Sequence, residues 1–256
     1  MTIQTEPISP TPGTRLGIRL DGIALALGGT VLFEDLELHL LGGLTTCLLG
    51  PSGVGKSSLL RLLAGLGPTP TAGSMSCDDG RPLAGRTAYM DQRDLLLPWL
   101  SGRDNVTLGA RLRGETPDRK RADELLARVG LGDRRDDRPA TLSGGMRQRL
   151  ALARTLMEDR PIVLMDEPFS SLDVLTRLLL QDLAAELLAE RTVLLVTHDP
   201  MEALRLGHRI FVMSGSPALL GAPLEPAGAP PRDAAQVSRS DAYRDLLARL
   251  GVGGSP

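Results

Sequence analysis

The sequence predicts an α/β protein with a mostly parallel core sheet, an antiparallel β subdomain at the N-terminus and an inserted α-helical subdomain. Three patterns support this fold class. Short runs that are apolar throughout alternate with helical patterns, as strands and helices do in βαβ units. Two segments before the first such run instead alternate apolar and polar residues. Between two of the runs lies a long stretch with helical patterns alone.

The N-terminal part contains a leader and a hairpin-like pattern. Residues 1–14 carry three prolines among Thr, Ser and Gly, which predicts a disordered leader. Ile18–Leu25 and Leu36–Leu40 then alternate on either side of Gly28 and Gly29. This pattern predicts antiparallel strands around a turn, with one face of the pair exposed to water.

The parallel sheet begins with Thr45–Leu49, whose apolar character predicts a central strand. A helix is predicted from Lys56 to about Gly65, because a Gly-Pro pair follows as a stop signal. Arg86–Met90 predicts the next strand.

Residues 93–158, approximately, are predicted to form the helical insertion. Leu95–Leu100 is apolar but interrupted by proline, which argues against a strand. Helical patterns follow at Asn105–Leu112, at Pro117–Val129 and from Ser143 onward. We therefore expect this stretch to pack as a helical subdomain.

The parallel pattern returns after the insertion and ends near residue 221. It consists of strands at Ile162–Asp166, Thr192–Val196 and Arg209–Met213, with helices at 174–190 and Pro200–Leu206. One domain is therefore expected over residues 15–221. Residues 222–256 are predicted to form a proline-rich segment with a final amphipathic helix at Asp241–Leu250.

Composition excludes several classes of protein. Hydrophobic residues make up 42% of the chain, and the formal net charge of -2 argues against a surface that binds nucleic acid. Cys47, in a predicted strand, and Cys77, in a polar region predicted to be a turn, fit no metal spacing and are expected to be reduced thiols. The sequence has no signal-peptide layout and no apolar stretch near the roughly 18 residues of a membrane span, so we expect a cytoplasmic chain.

A phosphate-binding loop connects the first parallel strand to its helix. The residues follow the pattern G-x-x-x-x-G-K-S and are Gly50, Pro51, Ser52, Gly53, Val54, Gly55, Lys56 and Ser57. Strand, glycine loop and helix in this order direct several backbone N–H groups toward one phosphate chain. Lys56 is expected to reach the β- and γ-phosphates, and the Ser57 hydroxyl is expected to face Mg²⁺. The fold class is therefore that of a P-loop NTPase.

Polar side chains follow three of the predicted parallel strands, at the edge of the sheet where ligands bind. Asp166 and Glu167 end one strand: one carboxylate can hold Mg²⁺, and the other can accept a proton from an attacking water. His198 follows a second strand, where a γ-phosphate would lie. Gln92 follows a third, and its amide could contact Mg²⁺ or the attacking water, although spacing alone does not decide this.

Ser143, Gly144 and Gly145 form a second candidate nest for an anion. Ser143 can cap the helix that follows, and the two glycines leave room for a phosphate at its positive end. One triphosphate does not readily need two such loops from one chain. The nest therefore either folds back within the chain, serves a neighbouring subunit, or is only a capped surface helix.

Together these residues resemble the nucleotide-binding subunit of ATP-binding cassette (ABC) transporters. The resemblance extends from about Leu16 to Gly221 and rests on six motifs in order: the phosphate loop, Gln92, the signature Leu142–Arg149, Asp166-Glu167, the loop Ser170–Asp173 and His198. It implies that two copies enclose two ATP molecules head to tail, each signature closing on the other copy's phosphate loop. It also implies two membrane-spanning permease subunits, an indirect solute-binding protein, and a place on the cytoplasmic face of the membrane.

The resemblance also implies roles for single residues. Glu167 would be the general base, Asp166 a magnesium residue and His198 the γ-phosphate sensor. Asp173 would contact the second copy, and Gln92 would link the site to the membrane partner. The chain departs from the family at two positions: Leu27 replaces an aromatic residue that often stacks on adenine, and Ser58 replaces the usual threonine.

Within the family, Met90–Val106 resembles the corresponding segment in importers of nitrate, sulfonates, taurine or the pyrimidine precursor of thiamine. Asp94–Trp99, together with Leu108–Gly114, is most similar to the thiamine-precursor group. Leu95–Leu100 is either ordinary core or an exposed patch for a partner's coupling helix. An export motor with the same fold is a second interpretation. A cassette ATPase acting on DNA or ribosomes is a third, disfavoured because the chain has no heptad run, no CxxC and no basic excess.

Overall fold

The structure is a computed structural model that describes residues 15–251. The predicted leader over residues 1–14 lies outside the described residues. Two sheets make up the β structure of the described chain. The strands are β1 (Ile18–Leu27), β2 (Thr30–Leu40), β3 (Thr45–Leu49), β4 (Ala72–Cys77), β5 (Thr87–Met90), β6 (Ile162–Asp166), β7 (Thr192–Val196), β8 (Arg209–Ser214) and β9 (Leu219–Leu220).

The larger sheet has the strand order β5-β6-β7-β3-β8-β9, and its first five strands run parallel. Every residue of β6 and β7 is buried, which explains why both strands are apolar almost throughout. β3 lies between β7 and β8, so its prediction as a central strand is confirmed. β9 pairs antiparallel with β8 and closes that edge.

The smaller sheet is antiparallel, with the order β2-β1-β4. Gly28 and Gly29 both have positive φ, the conformation that a tight hairpin turn requires. β2 begins at Thr30 rather than at Leu36, because pairing with β1 extends the strand through a stretch that does not alternate cleanly. The sequence did not predict β4, which is rich in small residues of low β propensity. Cys77 is therefore a buried strand residue, and its prediction as a turn residue was wrong.

The helices are α1 (Lys56–Leu63), α2 (Gly102–Val106), α3 (Leu108–Leu112), α4 (Arg119–Arg128), α5 (Gly144–Met157), α6 (Val174–Leu187), α7 (Pro200–Leu206), α8 (Ala234–Val237) and α9 (Asp241–Arg249). The single helix predicted over Asn105–Leu112 is two helices that meet at Thr107, and Ser101 caps the first one. α6 ends at Leu187 rather than at 190, since Glu190 has a positive φ of 68° that no helix accepts. Leu95–Leu100 contains no strand, as its proline predicted.

The parallel sheet separates two apolar cores. α1 and the antiparallel sheet cover one face, where Leu48, Leu164 and Leu194 are buried. Helices α4, α5 and α6 contribute to the other core, together with Leu246 of α9. α2–α5 lie between β5 and β6 in the chain, as the fold class predicts. None of the helices within residues 15–251 combines the length and the apolar character needed to cross a membrane.

Candidate functional site

The phosphate loop leaves β3 through a backbone path that only glycine follows easily. Gly50, Gly53 and Gly55 have φ of 150°, 81° and 116°. A Cβ at Gly50 would lie 2.2 Å from the Met213 carbonyl oxygen, so a side chain is excluded there. Pro51, Ser52 and Gly53 are exposed and leave the loop open to a ligand, while Val54 is partly buried.

Lys56 lies over this loop at the start of α1. Its Nζ donates to the carbonyl oxygens of Gly50 at 2.8 Å and Pro51 at 2.9 Å. Desolvation by burial lowers the pKa of Lys56, while the charges of Glu167 and Asp166 oppose this. Ser58, which replaces the family's usual threonine, is partly buried in the first turn of the same helix.

Asp166 is the last residue of β6 and is only 2% exposed. Burial raises the pKa of its carboxyl group, and the neighbouring Ser57 hydroxyl, which favours the ionised form, opposes part of this rise. The structure thus brings Asp166, Ser57 and Lys56 together at the carboxyl end of the parallel sheet.

Glu167 contacts the polar residues that follow the two neighbouring strands, β5 and β7. Gln92 Nε2 donates to its Oε2 at 3.1 Å, and His198 Nδ1 lies 3.2 Å from its Oε1. β5, β6 and β7 are adjacent in the sheet, so the residues that follow them meet at one edge. Glu167 itself has a positive φ of 48°, which turns the chain sharply after β6. The three predicted strand-end side chains therefore form one cluster.

The second nest lies at the start of α5. Ser143 Oγ accepts a hydrogen bond from Met146 N at 3.3 Å and caps the helix. A Cβ at Gly145 would lie 3.5 Å from the Ser171 carbonyl oxygen, which places this glycine against the loop before α6. Gly144 has open space around it, since a Cβ there would meet only the Arg147 side chain at 3.9 Å. Within residues 15–251 no hydrogen bond joins Ser143–Gly145 to the phosphate loop.

Asp173 is the exposed cap of α6. Its Oδ1 accepts from Thr176 N at 3.0 Å. This backbone hydrogen bond lowers the pKa of the Asp173 carboxyl group, which is fully ionised near neutral pH. The charge is thus available to a partner at this end of α6.

Several residues near the site were given no individual role from the sequence, although Arg147 and Gln148 belong to the signature Leu142–Arg149. Gln148, which is 4% exposed, donates from Nε2 to the Pro168 carbonyl oxygen at 2.9 Å and so connects α5 to the turn at Glu167. Arg147 Nε lies 2.9 Å from Asp94 Oδ2, and Arg154 donates to the Asp94 carbonyl oxygen at 2.7 Å. Arg147 and Arg154 are seven residues apart, so they lie on one face of α5, and this spacing was the only sign of a shared partner. The partner, Asp94, lies more than 50 residues earlier and could not be recognised from the sequence.

The Leu95–Leu100 segment was expected to be either ordinary core or an exposed apolar patch, and in the structure it is partly each. Leu96 is 9% exposed and belongs to the core, whereas Leu95 and Trp99 are 49% and 65% exposed. Leu27, which stands where the family often has an adenine-stacking aromatic residue, is exposed at the end of β1. An aliphatic side chain at this position offers burial but no ring stacking.

The residues expected to hold magnesium form an oxygen-rich set. Ser57, Gln92 and Asp166 offer a hydroxyl, an amide oxygen and one carboxylate. No group of three or more His, Cys, Asp and Glu side chains that could hold a metal ion exists in the described part of the chain. The set suits Mg²⁺, which is often bound through one or two carboxylates with substrate phosphates supplying further oxygens.

A mostly parallel sheet with a phosphate loop, a strand-end acid pair and a second glycine nest defines a P-loop ATPase of the cassette class. A family model described as "ABC transporter" matches residues 33–170. The chain therefore belongs to the ABC transporter family, binds ATP and is an ATPase.

Two relatives illustrate this membership. The chain is 45% identical to an uncharacterized ABC transporter ATP-binding protein of Haemophilus influenzae, over 91% of this chain and 98% of that protein. It is 46% identical to the aliphatic sulfonates import ATP-binding protein SsuB 1 of Rhodococcus jostii, over 79% and 82%. The importer-type resemblance drawn from the sequence is thereby confirmed.

Solved structures agree with the fold. The chain is similar to a dimeric post-hydrolysis state of the ATP-binding cassette MJ0796 bound to ADP and Pi, with a TM-score of 0.74 and 29% identity over 82% of this chain and 99% of that one. A bacterial Atm1-family ABC exporter with ATP bound shares the fold, with a TM-score of 0.75 and 22% identity over 96% of this chain and 44% of the other.

Proposed function

We propose that this chain is the ATP-hydrolysing subunit of an importer for a small organic anion, with sulfonates as the favoured class. The observation that carries the ATPase part is the Glu167 cluster, in which Gln92 and His198 hold one carboxylate beside the phosphate loop. The names of relatives such as the Rhodococcus jostii protein support the solute class. They favour sulfonates over the pyrimidine precursor suggested by Asp94–Trp99.

Glu167 acts as the general base in this proposal. Its carboxylate takes a proton from the water that attacks the γ-phosphorus, and ADP departs with the electrons of the broken P–O bond. Gln92 and His198 fix the orientation of the carboxylate, and His198 also faces the γ-phosphate. Lys56 neutralises charge on the β- and γ-phosphates.

Mg²⁺ would be held by Ser57, Asp166 and Gln92. When bound, the ion supplies positive charge to the phosphate oxygens. The burial of Asp166 supports this role, because a carboxylate with a raised pKa gains more from a neighbouring cation than a solvated one does.

A second copy of the chain completes each ATP site. Ser143, Gly144 and Gly145 are exposed or partly exposed, and no hydrogen bond ties them to the phosphate loop of the described chain. The solved post-hydrolysis structure of the MJ0796 cassette is dimeric. Asp173, ionised and exposed at the start of α6, would contact the second copy.

The remaining partners follow from the importer role. Two membrane-spanning permease subunits would receive the movement through Leu95 and Trp99, which places the chain on the cytoplasmic face of the membrane. A solute-binding protein outside would deliver the anion. An export motor is the alternative, but the exporter similarity reported above concerns the fold alone. A nucleic-acid partner is not expected at a net charge of -2.

Glu167→Gln tests the proposed role of Glu167 as the general base. The variant keeps the phosphate contacts but has no base, so it should bind ATP with unchanged affinity, lose on the order of 10²-fold or more in turnover, and accumulate as a dimer with ATP. Turnover measured by phosphate release and mass measured by light scattering give the two readouts. Glu37→Gln, an exposed residue of β2, is the matched control. Wild-type turnover in Glu167→Gln would refute the role of Glu167.

The solute is tested separately. The tagged chain is purified from detergent-solubilised membranes with its permease, and the associated binding protein is titrated with an alkanesulfonate and with an aminopyrimidine. Binding of the sulfonate supports the proposed class. Binding of the pyrimidine alone would replace it.

A further inference from the structure

Two helices behind the candidate site are joined by polar side chains. α6 begins directly after the loop Ser170–Asp173, and α7 begins two residues after His198. Six side chains make this contact, which we call the polar ladder: Arg177, Gln181 and Asp182 of α6, Asp199 at the N-cap of α7, and Glu202 and Arg205 of α7.

The contacts of the polar ladder follow each other along both helices. Arg177 Nη1 donates to Asp199 Oδ2 at 3.3 Å, and Gln181 Nε2 donates to Glu202 Oε2 at 3.2 Å. Arg205 then donates from Nη1 to Gln181 Oε1 at 3.1 Å and from Nη2 to Asp182 Oδ1 at 2.6 Å. Because the residue numbers rise together on the two helices, their N-terminal ends lie on the same side of the ladder.

This contact is costly in free energy. Gln181, Glu202 and Arg205 are 2%, 5% and 8% exposed. Six buried side-chain polar atoms lack a hydrogen-bond partner within the described chain, and three of them belong to the ladder: Arg177 Nε, Glu202 Oε1 and Arg205 Nε. Apolar side chains of similar size would stabilise such a contact at least as well. What directional hydrogen bonds provide instead is a defined register between the helices.

The N-terminal ends of α6 and α7, which the polar ladder joins, both reach the candidate site. Arg177 also donates from Nη2 to the Leu172 carbonyl oxygen at 3.1 Å, inside the loop Ser170–Asp173. On the other side, Asp199 N donates to Thr197 Oγ1 at 3.0 Å and closes the turn that carries His198. A cavity of about 30 Å³ borders Glu167 and His198 on one side and Arg177 and Glu202 on the other.

We propose that Arg177 and Glu202 are positioning residues, which fasten the His198 turn to α6 so that the loop Ser170–Asp173 and His198 shift as one rigid unit. The inference rests on the proposed function, in which Asp173 meets the second copy and His198 faces the γ-phosphate. Docking of the second copy at Asp173 then sets the position of His198 through contacts within one chain. ATP binding through Lys56 is independent of this connection.

The first test observes His198 without requiring turnover. The chain has three histidines, so ring-¹³C-labelled histidine produces few NMR signals, and His198→Ala assigns the relevant one. In the full-length chain, Arg177→Gln and Glu202→Ala should each shift or broaden the His198 signal. His39, which contacts Asp78 in the antiparallel sheet, should be unaffected. An unmoved His198 signal in Arg177→Gln overturns the proposal, and this variant decides the test if Glu202→Ala does not fold.

The second test separates positioning from general stability. Arg177→Gln should lower kcat on the order of tenfold, below the 10²-fold loss that a 1 Å misplacement can cause, with the KM for ATP unchanged. Asp199→Asn keeps the helix cap but removes the charge, so it should lower kcat similarly. The double variant should be no slower than the slower single variant, because both remove one connection. The proposal would be overturned if the two losses of kcat multiplied in the double variant, or if Arg177→Gln changed only the KM for ATP.

Arg128→Gln is the matched control, because Arg128 also reaches α6 through a salt bridge to Glu186 at 2.6 Å, away from the site. It should leave kcat and the His198 signal unchanged; an equal loss of kcat would show that any ion pair on α6 has this effect. Failure of the proposed function has a different signature, namely equal turnover of the wild type and Glu167→Gln. The NMR result can be obtained in either case.

Discussion

At the scale of single residues, the environment decides what each acidic side chain can do. Asp166 is buried at a strand end, where a cation would compensate its charge. Glu167 is held between an amide and an imidazole, and these contacts fix the orientation of the carboxylate to which we assign proton transfer. Asp173 caps a helix and stays ionised. Glu202 is buried inside the polar ladder, and its pKa is raised to about 7. The four carboxyl groups thus lie in four different environments within one domain.

Glu202 makes the stability of the protein depend on pH. Burial is the main cause of its raised pKa and Asp199 adds to it, while Thr197, Gln181 and Arg177 oppose the rise. The folded chain therefore binds this proton more tightly than the unfolded chain does. The stabilisation that comes from the protonated Glu202 is fully present below about pH 4.5 and is lost as the pH rises through about 7. The free energy of unfolding falls over this range by on the order of 3 kcal/mol.

Glu202→Gln tests this linkage, because the amide is similar in size but does not titrate. Urea titrations measure the free energies of unfolding of both proteins. The wild type should lose on the order of 2 kcal/mol relative to Glu202→Gln between pH 5 and about 7.5. Glu190→Gln, an exposed residue beyond α6, should follow the wild type. Parallel curves for the wild type and Glu202→Gln would contradict the buried titration.

At the scale of elements, one buried side chain shapes the segment that follows Gln92. Asn105 is 0% exposed, accepts a hydrogen bond from Leu97 N at 2.8 Å, and donates to the carbonyl oxygens of Leu97, Leu100 and Ser101. These bonds replace the ladder bonds that a strand would have. Asn105 therefore holds the irregular path of a segment that presents Leu95 and Trp99 to the outside.

Asn105→Ala should destabilise the protein by roughly 2 to 4 kcal/mol, because the Leu97 N–H and the Leu100 carbonyl oxygen lose their hydrogen-bond partner. The carbonyl oxygens of Leu97 and Ser101 keep backbone donors. Urea titration of the purified chain measures this loss. ATP affinity should change little, since the phosphate loop lies on other elements. Gln236→Ala, on the exposed side of α8, is the control and should cost less than about 0.5 kcal/mol. A similarly small loss for Asn105→Ala would show that the segment does not depend on Asn105.

Elements also show where prediction from the sequence succeeds. β6 and β7 were predicted because each strand is buried along its whole length, so burial appears directly as an apolar run. β4 was missed because its small and polar residues carry no such pattern, and only pairing with β1 makes it a strand. The burial of Cys77 was not predicted for the same reason, because Cys77 is the last residue of β4.

At the scale of the whole molecule, the two candidate anion sites lie on different parts of the described chain. The phosphate loop follows β3, and Ser143–Gly145 begins α5, with no hydrogen bond between them. If a second copy completes the site, each ATP must be held by the phosphate loop of one chain and the nest of the other.

A mixing experiment tests this arrangement. Lys56→Ala destroys the phosphate loop and Ser143→Arg destroys the nest, so each variant alone should lack ATPase activity. In an equal mixture, mixed dimers contain one intact composite site, and roughly a quarter of the wild-type turnover should return by this two-fold symmetry argument. Lys120→Ala, an exposed lysine of α4, should be fully active alone. No recovery on mixing would indicate that the nest serves its own chain.

The sequence by itself determined the local chemistry: the phosphate loop, the polar residues at three strand ends, and the helix cap at Ser143. These features depend on neighbours in the chain, so their residues can be recognised in order. Only the tertiary structure decided that Gln92 and His198 both contact Glu167, that Gln148 reaches Pro168, and that α6 and α7 are joined by the polar ladder. The physical reason is that such contacts depend on the order of strands in the sheet and on which helix faces meet, neither of which is a periodic property of the sequence.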